Sequence, residues 1–74
     1  MITNATAAQQ ISDMMIELKD QMMDSLAVAK ESCPPEEYRA YHAAVGRIVD
    51  SILVNVLEPL YSANPALKPP GWDE

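Results

Sequence analysis

A pair of adjacent prolines, Pro34 and Pro35, divides this chain into two helix-forming stretches. The first stretch, residues 5–32, contains neither glycine nor proline. The residue before a proline avoids the α conformation, whereas proline itself fits well in the first turn of a helix. The sequence therefore predicts a helix over about residues 5–32, a turn at 32–35 and a second helix over about 35–61.

Apolar side chains recur with helical spacing in both stretches. They advance by three or four residues, which places them on one face of each helix, and the second stretch has the heptad spacing of a coiled coil. The expected core positions are Ile11, Met15, Leu18, Met22, Leu26, Ala29, Tyr38, His42, Val45, Val49, Ile52 and Val56. Because a short turn makes consecutive helices antiparallel neighbours, the predicted fold class is all-α, with residues 1–63 forming an antiparallel two-helix hairpin.

Proline also marks the end of the second helix. Four of the six prolines lie in residues 59–70, and proline cannot donate the hydrogen bond that continues a helix. We expect residues 64–74 to form a Pro-rich extended tail. The single tryptophan of this tail, Trp72, either binds a protein partner or folds back with Leu67 over the open end of the bundle.

A single hairpin of this sequence leaves apolar surface in water. Both apolar faces are wider than the stripe that two helices bury against each other, and soluble monomers rarely expose a long apolar strip. We expect two copies to pack as a four-helix bundle, with a larger oligomer or a complex with another helical protein as alternatives. The predicted residues of the dimer interface are Ile16, Met23, His42, Ile48, Ile52, Leu53 and Leu57.

Acidic side chains form a stripe on the first helix, opposite its apolar face. This acidic stripe consists of Asp13, Glu17, Asp20, Asp24 and Glu31. No lysine stands three or four residues from any of them, so we expect nothing on the same helix to neutralise the stripe. The stripe is either a solvated face that keeps the protein soluble or a surface that binds a basic protein, in one form by mimicking a nucleic-acid backbone.

The overall charge and the scarcity of reactive side chains exclude several classes of function. With 11 acids against 5 bases, the net charge of −6 disfavours direct binding to nucleic acid or to an anionic membrane. The sequence has no Glu-x-x-His, no Cys-x-x-Cys and no Gly-rich phosphate loop, so it predicts no catalytic residue, metal or cofactor. We expect the single histidine, His42, to be hydrogen-bonded to a tyrosine or a carboxylate, although a symmetric dimer could pair two copies of it.

Other features bear on where the protein resides. The first ten residues lack the basic and apolar regions of a signal peptide, and the most apolar window, 48–57, is shorter than the ~20 residues that span a bilayer. The single cysteine, Cys33, fits a reducing compartment. We therefore expect a cytoplasmic location.

These features together favour a small acidic homodimeric interaction module. Such a protein binds and modulates a basic protein partner, as an inhibitor, immunity protein or antitoxin does. The expected architecture resembles that of plasmid copy-number regulators built as dimeric helical hairpins, which bind RNA through basic and polar helix faces. One alternative is therefore a nucleic-acid regulator of this type. Another, which rests on His42, is a metal- or haem-binding helical bundle.

Overall fold

The structure, a computed structural model, describes residues 1–72, and every regular element in this range is helical. The elements are α1 (Ala5–Ser32), α2 (Pro35–Ser51), a π segment (Ile52–Leu57), α3 (Glu58–Ala63) and a 3-10 turn (Pro65–Leu67). The predicted all-α fold class is confirmed for this range. The predicted tail ends with Asp73 and Glu74, which lie outside the described residues.

Local chemistry sets the ends of the helices on either side of the turn. The Oδ1 atom of Asn4 accepts a hydrogen bond from the backbone N–H of Ala7 at 3.0 Å and so caps the start of α1. Cys33, which precedes the proline pair, has the extended backbone that a following proline favours, and α1 ends there. Pro35 occupies the first turn of α2, as its missing N–H allows.

The second helix changes its geometry where it approaches Pro59. In the π segment, the backbone N–H of Glu58 bonds to the carbonyl of Leu53, five residues earlier. Proline has no N–H, and in an α-helix its ring clashes with the carbonyl four residues before it, here that of Asn55. The wider π turn relieves this clash, and the helix continues through Pro59 to Ala63.

The π segment also determines which residues face the core. Buried positions advance from Val45 by seven residues to Ile52 and then by five to Leu57. A step of five in a regular α-helix leaves the later residue about 140° away from the first, and the heptad pattern therefore predicts Val56 instead. The additional residue in the π turn brings Leu57 to the core face, where it is 0% exposed, while Val56 is only half-buried.

The core lies at the end of the molecule away from the turn. Its buried side chains are Ala8, Ile52, Leu57, Leu60 and Tyr61, and those packed against them are Ile2, Ile11, Met15, Ile16, Met22, Leu53, Leu67 and Trp72. The predicted core residue Leu18 is 45% exposed, which corrects that expectation. Leu18 lies at the edge of the apolar face of α1, beyond the narrow stripe that one neighbouring helix covers.

Two side-chain hydrogen bonds join α1 to the second helix. Near the turn, the hydroxyl oxygens of Ser25 and Tyr41 lie 2.6 Å apart. Far from the turn, the hydroxyl oxygens of Ser12 and Tyr61 lie 2.6 Å apart in a buried environment. Contacts between the two helices therefore extend from the turn to the core.

The tail packs back against the core. The amide of Asn64 donates to the carbonyl of Ile2 at 2.8 Å, which joins the end of α3 to the residues before α1. Gly71 has a φ of 82°, a conformation that favours glycine, and the turn it forms directs the next residue toward the core. The rings of Trp72 and Tyr61 then meet edge to face, with 4.8 Å between their centroids.

Candidate protein-interaction surfaces

The acidic stripe lines an open groove along the outer face of α1. The groove has a volume of about 400 Å³, and the side chains around it are Asp13, Ile16, Glu17, Asp20, Gln21 and Asp24. The four acids are exposed, as their spacing predicts. Glu31 is also exposed but lies farther along α1, outside the groove. The groove thus presents four carboxylates side by side.

One base neutralises part of the acidic stripe. The Nζ atom of Lys19 lies 3.4 Å from a carboxylate oxygen of Asp20. The expectation that nothing on the helix would neutralise the stripe is therefore wrong, because the long lysine side chain reaches the residue next to it in sequence. Among residues 1–72, Asp24 and Glu31 have no ion-pair partner. An exposed pair contributes only about 0–1 kcal/mol, so most of the negative charge remains available to a partner.

Amide side chains hold two other carboxylates of the groove. The Nε2 atom of Gln9 donates to Asp13 at 2.9 Å, and that of Gln21 donates to Glu17 at 3.4 Å. Both contacts span four residues of α1, the spacing at which helical side chains meet. These neutral donors orient the carboxylates without cancelling their charge.

The predicted dimer-interface residues divide into three groups. By helical spacing, Ile16, Met23, His42 and Leu53 lie on the helix edges away from the Ser25–Tyr41 hydrogen bond, and we name this set the histidine flank. Ile48 follows Tyr41 by seven residues and lies on the other side. Ile52 and Leu57 are 7% and 0% exposed within the single chain, because the π turn directs Leu57 inward. Buried in this way, Leu57 has no surface to offer a second copy and Ile52 has very little, which corrects the expectation for these two residues.

The environment of His42 differs from the expectation. The side chain is exposed, and its ring packs on that of Tyr38 with 5.8 Å between centroids. Within residues 1–72 the imidazole makes no hydrogen bond to a tyrosine or a carboxylate. The reason is that Tyr38 lies one helical turn away, where its ring, and not its hydroxyl, faces the imidazole.

Large apolar side chains are also exposed on the side opposite the histidine flank. They are Met14, Leu18 and Val28 of α1, with Tyr41 and Ile48 of α2, and their exposed fractions run from 41% to 65%. We name this set the uncharged flank. The Ser25–Tyr41 hydrogen bond brings the two helices together there, next to a groove of about 500 Å³ lined by Ser25, Val28, Ala29, Ser32, Cys33, Glu37 and Tyr41. Sequence reasoning placed only Ile48 of this set at a dimer interface and missed the others, although Tyr41 and Ile48 are one heptad apart.

Trp72 packs partly on the chain's own core and leaves part of its ring open to a partner. The indole is half-buried against Tyr61, and it lines a depression of about 280 Å³ with Leu53, Val54 and Glu58. Packing against the chain's own core therefore accounts for much of its apolar surface, and one part of the ring remains open.

No arrangement typical of a metal centre or a membrane span is found in residues 1–72. This range has no group of three or more histidine, cysteine or carboxylate side chains that could hold a metal ion. None of its helices is long and apolar enough to cross a membrane.

Comparison with known proteins gives this chain no relative from which a function could be transferred. No protein-family model, no curated protein and no solved structure matches it. A functional proposal therefore depends on its own surfaces.

Proposed function

We propose that this protein is a small, non-catalytic interaction module, a helical hairpin that dimerises into a four-helix bundle and binds a basic protein surface through its acidic stripe. The observation that carries the proposal is the separation of charge from apolar surface. Four exposed carboxylates surround one open groove on α1, whereas five of the eight large exposed apolar side chains of residues 1–72 lie on the uncharged flank. Two surfaces of different chemistry suit two different partners.

The acidic stripe suits a basic protein. Three of its carboxylate pairs stand three or four residues apart, and each such pair costs about 0.2–0.5 kcal/mol in an isolated helix. A basic surface would relieve this repulsion, and the net charge of −6 would accelerate the encounter at low salt. Inhibitors, immunity proteins and antitoxins act in this way, by covering a functional surface of another protein.

The test is affinity capture from a lysate of the native host with charge-reversed variants. Glu17→Lys with Asp20→Lys reverses the middle of the acidic stripe. The matched control, Glu36→Lys with Asp50→Lys, makes the same change in net charge at exposed positions of α2. We expect the wild type and the control to retain the same basic protein, and the stripe variant to lose it, with all three equally helical by circular dichroism.

Two results would overturn the basic-partner proposal. If both charge-reversed variants lose the protein equally, net charge alone attracts it and the stripe is a solubility face. If the captured protein is acidic, or binding does not weaken as salt is added, the electrostatic argument is wrong.

A further inference from the structure

We infer that the uncharged flank is the surface on which a second copy of this chain docks, an inference that rests on the proposed dimer and names the face that forms it. The histidine flank, which the sequence favours, would then face solvent. Three features of the structure carry this assignment.

The first feature is the spacing of the exposed apolar side chains. On α1, Met14 and Leu18 are followed by Gln21, Ser25 and Val28 at alternating steps of four and three. On α2, Tyr41, Ala44, Ile48 and Ser51 follow with steps of three, four and three. This heptad spacing keeps one continuous line of side chains facing a neighbouring helix in a bundle. Each helix thus has a second stripe beside the one that faces its partner within the chain.

The second feature is the distribution of charge. The nine side chains on those two lines are all uncharged, in a chain with 16 charged residues among 74. Of the side chains that line the adjoining groove, Glu37 alone is charged, and it lies at the end near the turn. A second copy also carries −6, so the repulsion between two copies is smallest when they meet through a face without acids.

The histidine flank has less free apolar surface to offer. Its residue Ile16 is already half-buried against the core. Leu53 of this flank also lines the depression that Trp72 partly fills.

The third feature is size. The molecule measures 44 × 20 × 16 Å, so its long faces cover roughly 700–900 Å², close to the ~800 Å² per partner of a standard interface. On α1 and α2, the large side chains of the uncharged flank are 41–65% exposed, so each has apolar surface left to bury in such an interface.

The wild-type chain carries its own probes of this assignment. In the single chain, Met14 of the uncharged flank is 63% exposed and Met23 of the histidine flank is 50% exposed. In a monomer, peroxide would therefore oxidise Met14 at least as fast as Met23. If the uncharged flank is the interface, Met14 should oxidise about threefold or more slowly than Met23 at concentrations where the protein is dimeric. This slower oxidation of Met14 should disappear on dilution, where the dimer dissociates. Trypsin cleaves after Lys19 and separates the two sites for mass spectrometry.

Matched substitutions provide the second measurement, with mass in solution as the readout. Leu18→Glu should reduce the light-scattering mass from about twice 8.1 kDa to the monomer mass, whereas Met23→Glu, at similar exposure on the histidine flank, should leave the dimer intact. Ile48→Glu provides the same test on α2 if Leu18→Glu does not fold.

Each contrary result is distinct. A dimer that Met23→Glu dissociates and Leu18→Glu does not, or one in which Met23 is the protected methionine, overturns the assigned face but leaves the proposed dimer standing. A wild-type monomer at micromolar concentration overturns the assigned face and the proposed dimer together. Neither result affects the capture experiment with the acidic stripe.

Discussion

At the scale of single residues, one buried hydrogen bond joins α1 to α3. Ser12 is 2% exposed and Tyr61 is 0% exposed, and their hydroxyls satisfy each other. A buried hydroxyl without a partner costs more than the net gain from the bond, so such a pair favours one packing arrangement over its neighbours. No buried side-chain polar atom in residues 1–72 lacks a partner.

We therefore expect Tyr61→Phe to lower the free energy of unfolding by about 1–3 kcal/mol, because it leaves the Ser12 hydroxyl buried and unpaired. Adding Ser12→Ala should cost less in this variant than in the wild type, since the unpaired hydroxyl is removed. Urea denaturation at fixed protein concentration measures both effects.

Tyr38→Phe is the control, because the Tyr38 hydroxyl has no hydrogen bond within residues 1–72. This substitution should change the free energy of unfolding by less than about 0.5 kcal/mol. Strict additivity of the Ser12 and Tyr61 substitutions would show that the hydroxyls do not interact.

At the scale of elements, the π segment connects two helical patterns that differ in phase. Up to Ile52 the buried residues keep the heptad spacing, and beyond it Leu57 and Leu60 face the core only because one additional residue has been accommodated. Removal of Asn55 should break the fewest contacts in this turn, because its side chain is exposed and hydrogen-bonds only to Ser51.

Deletion of Asn55 should convert the π turn into regular α-helix, because Ile52 and Leu57 would then be four residues apart. The deletion is made with Pro59→Ala, since proline is poorly tolerated inside an α-helix. We expect the melting temperature to remain within about 5 °C of that of Pro59→Ala alone.

Deletion of the exposed Ala43 in the same background is the control. It should lower the melting temperature by about 10 °C or more, because it rotates the buried face without a π turn to absorb the change. Equal losses for the two deletions would contradict this account of the π segment.

At the scale of the whole molecule, the tail completes a core that two helices leave open. Leu67 and Trp72 pack against it from beyond α3, and Asn64 joins the tail to the residues before α1. The half of the molecule near the turn has no such cover, and the large groove of the uncharged flank lies there. The single chain is therefore better packed at one end than at the other.

We expect Trp72→Ala to lower the free energy of unfolding by about 1–2 kcal/mol, through loss of apolar burial and of the edge-to-face contact with Tyr61. In the wild type, fluorescence of the only tryptophan should lie to the blue of that in denaturant, since the ring is half-buried. An emission maximum that denaturation leaves unchanged, together with unaltered stability of the variant, would show that the tail does not dock.

The acidic stripe and the two flanks show how much of the candidate sites the sequence contains. Spacing along α1 is sufficient to place Asp13, Glu17 and Asp20 on an exposed face, because a helix fixes the relative directions of its own side chains. Spacing cannot choose between Leu18 and Met22 for the core. Both lie on the apolar face, and only the position of the second helix determines which one is covered.

The sequence by itself determined the helical class, the ends of the helices at the turn and the exposure of the acids. These properties depend on proline, on capping side chains such as Asn4 and on periodicity, all of which act within a few residues. Only the tertiary structure decided the register beyond Ile52, the burial of Leu57 and the docking of Trp72. Those features depend on contacts between residues far apart in the chain, where packing against a neighbouring element outweighs the local helical period.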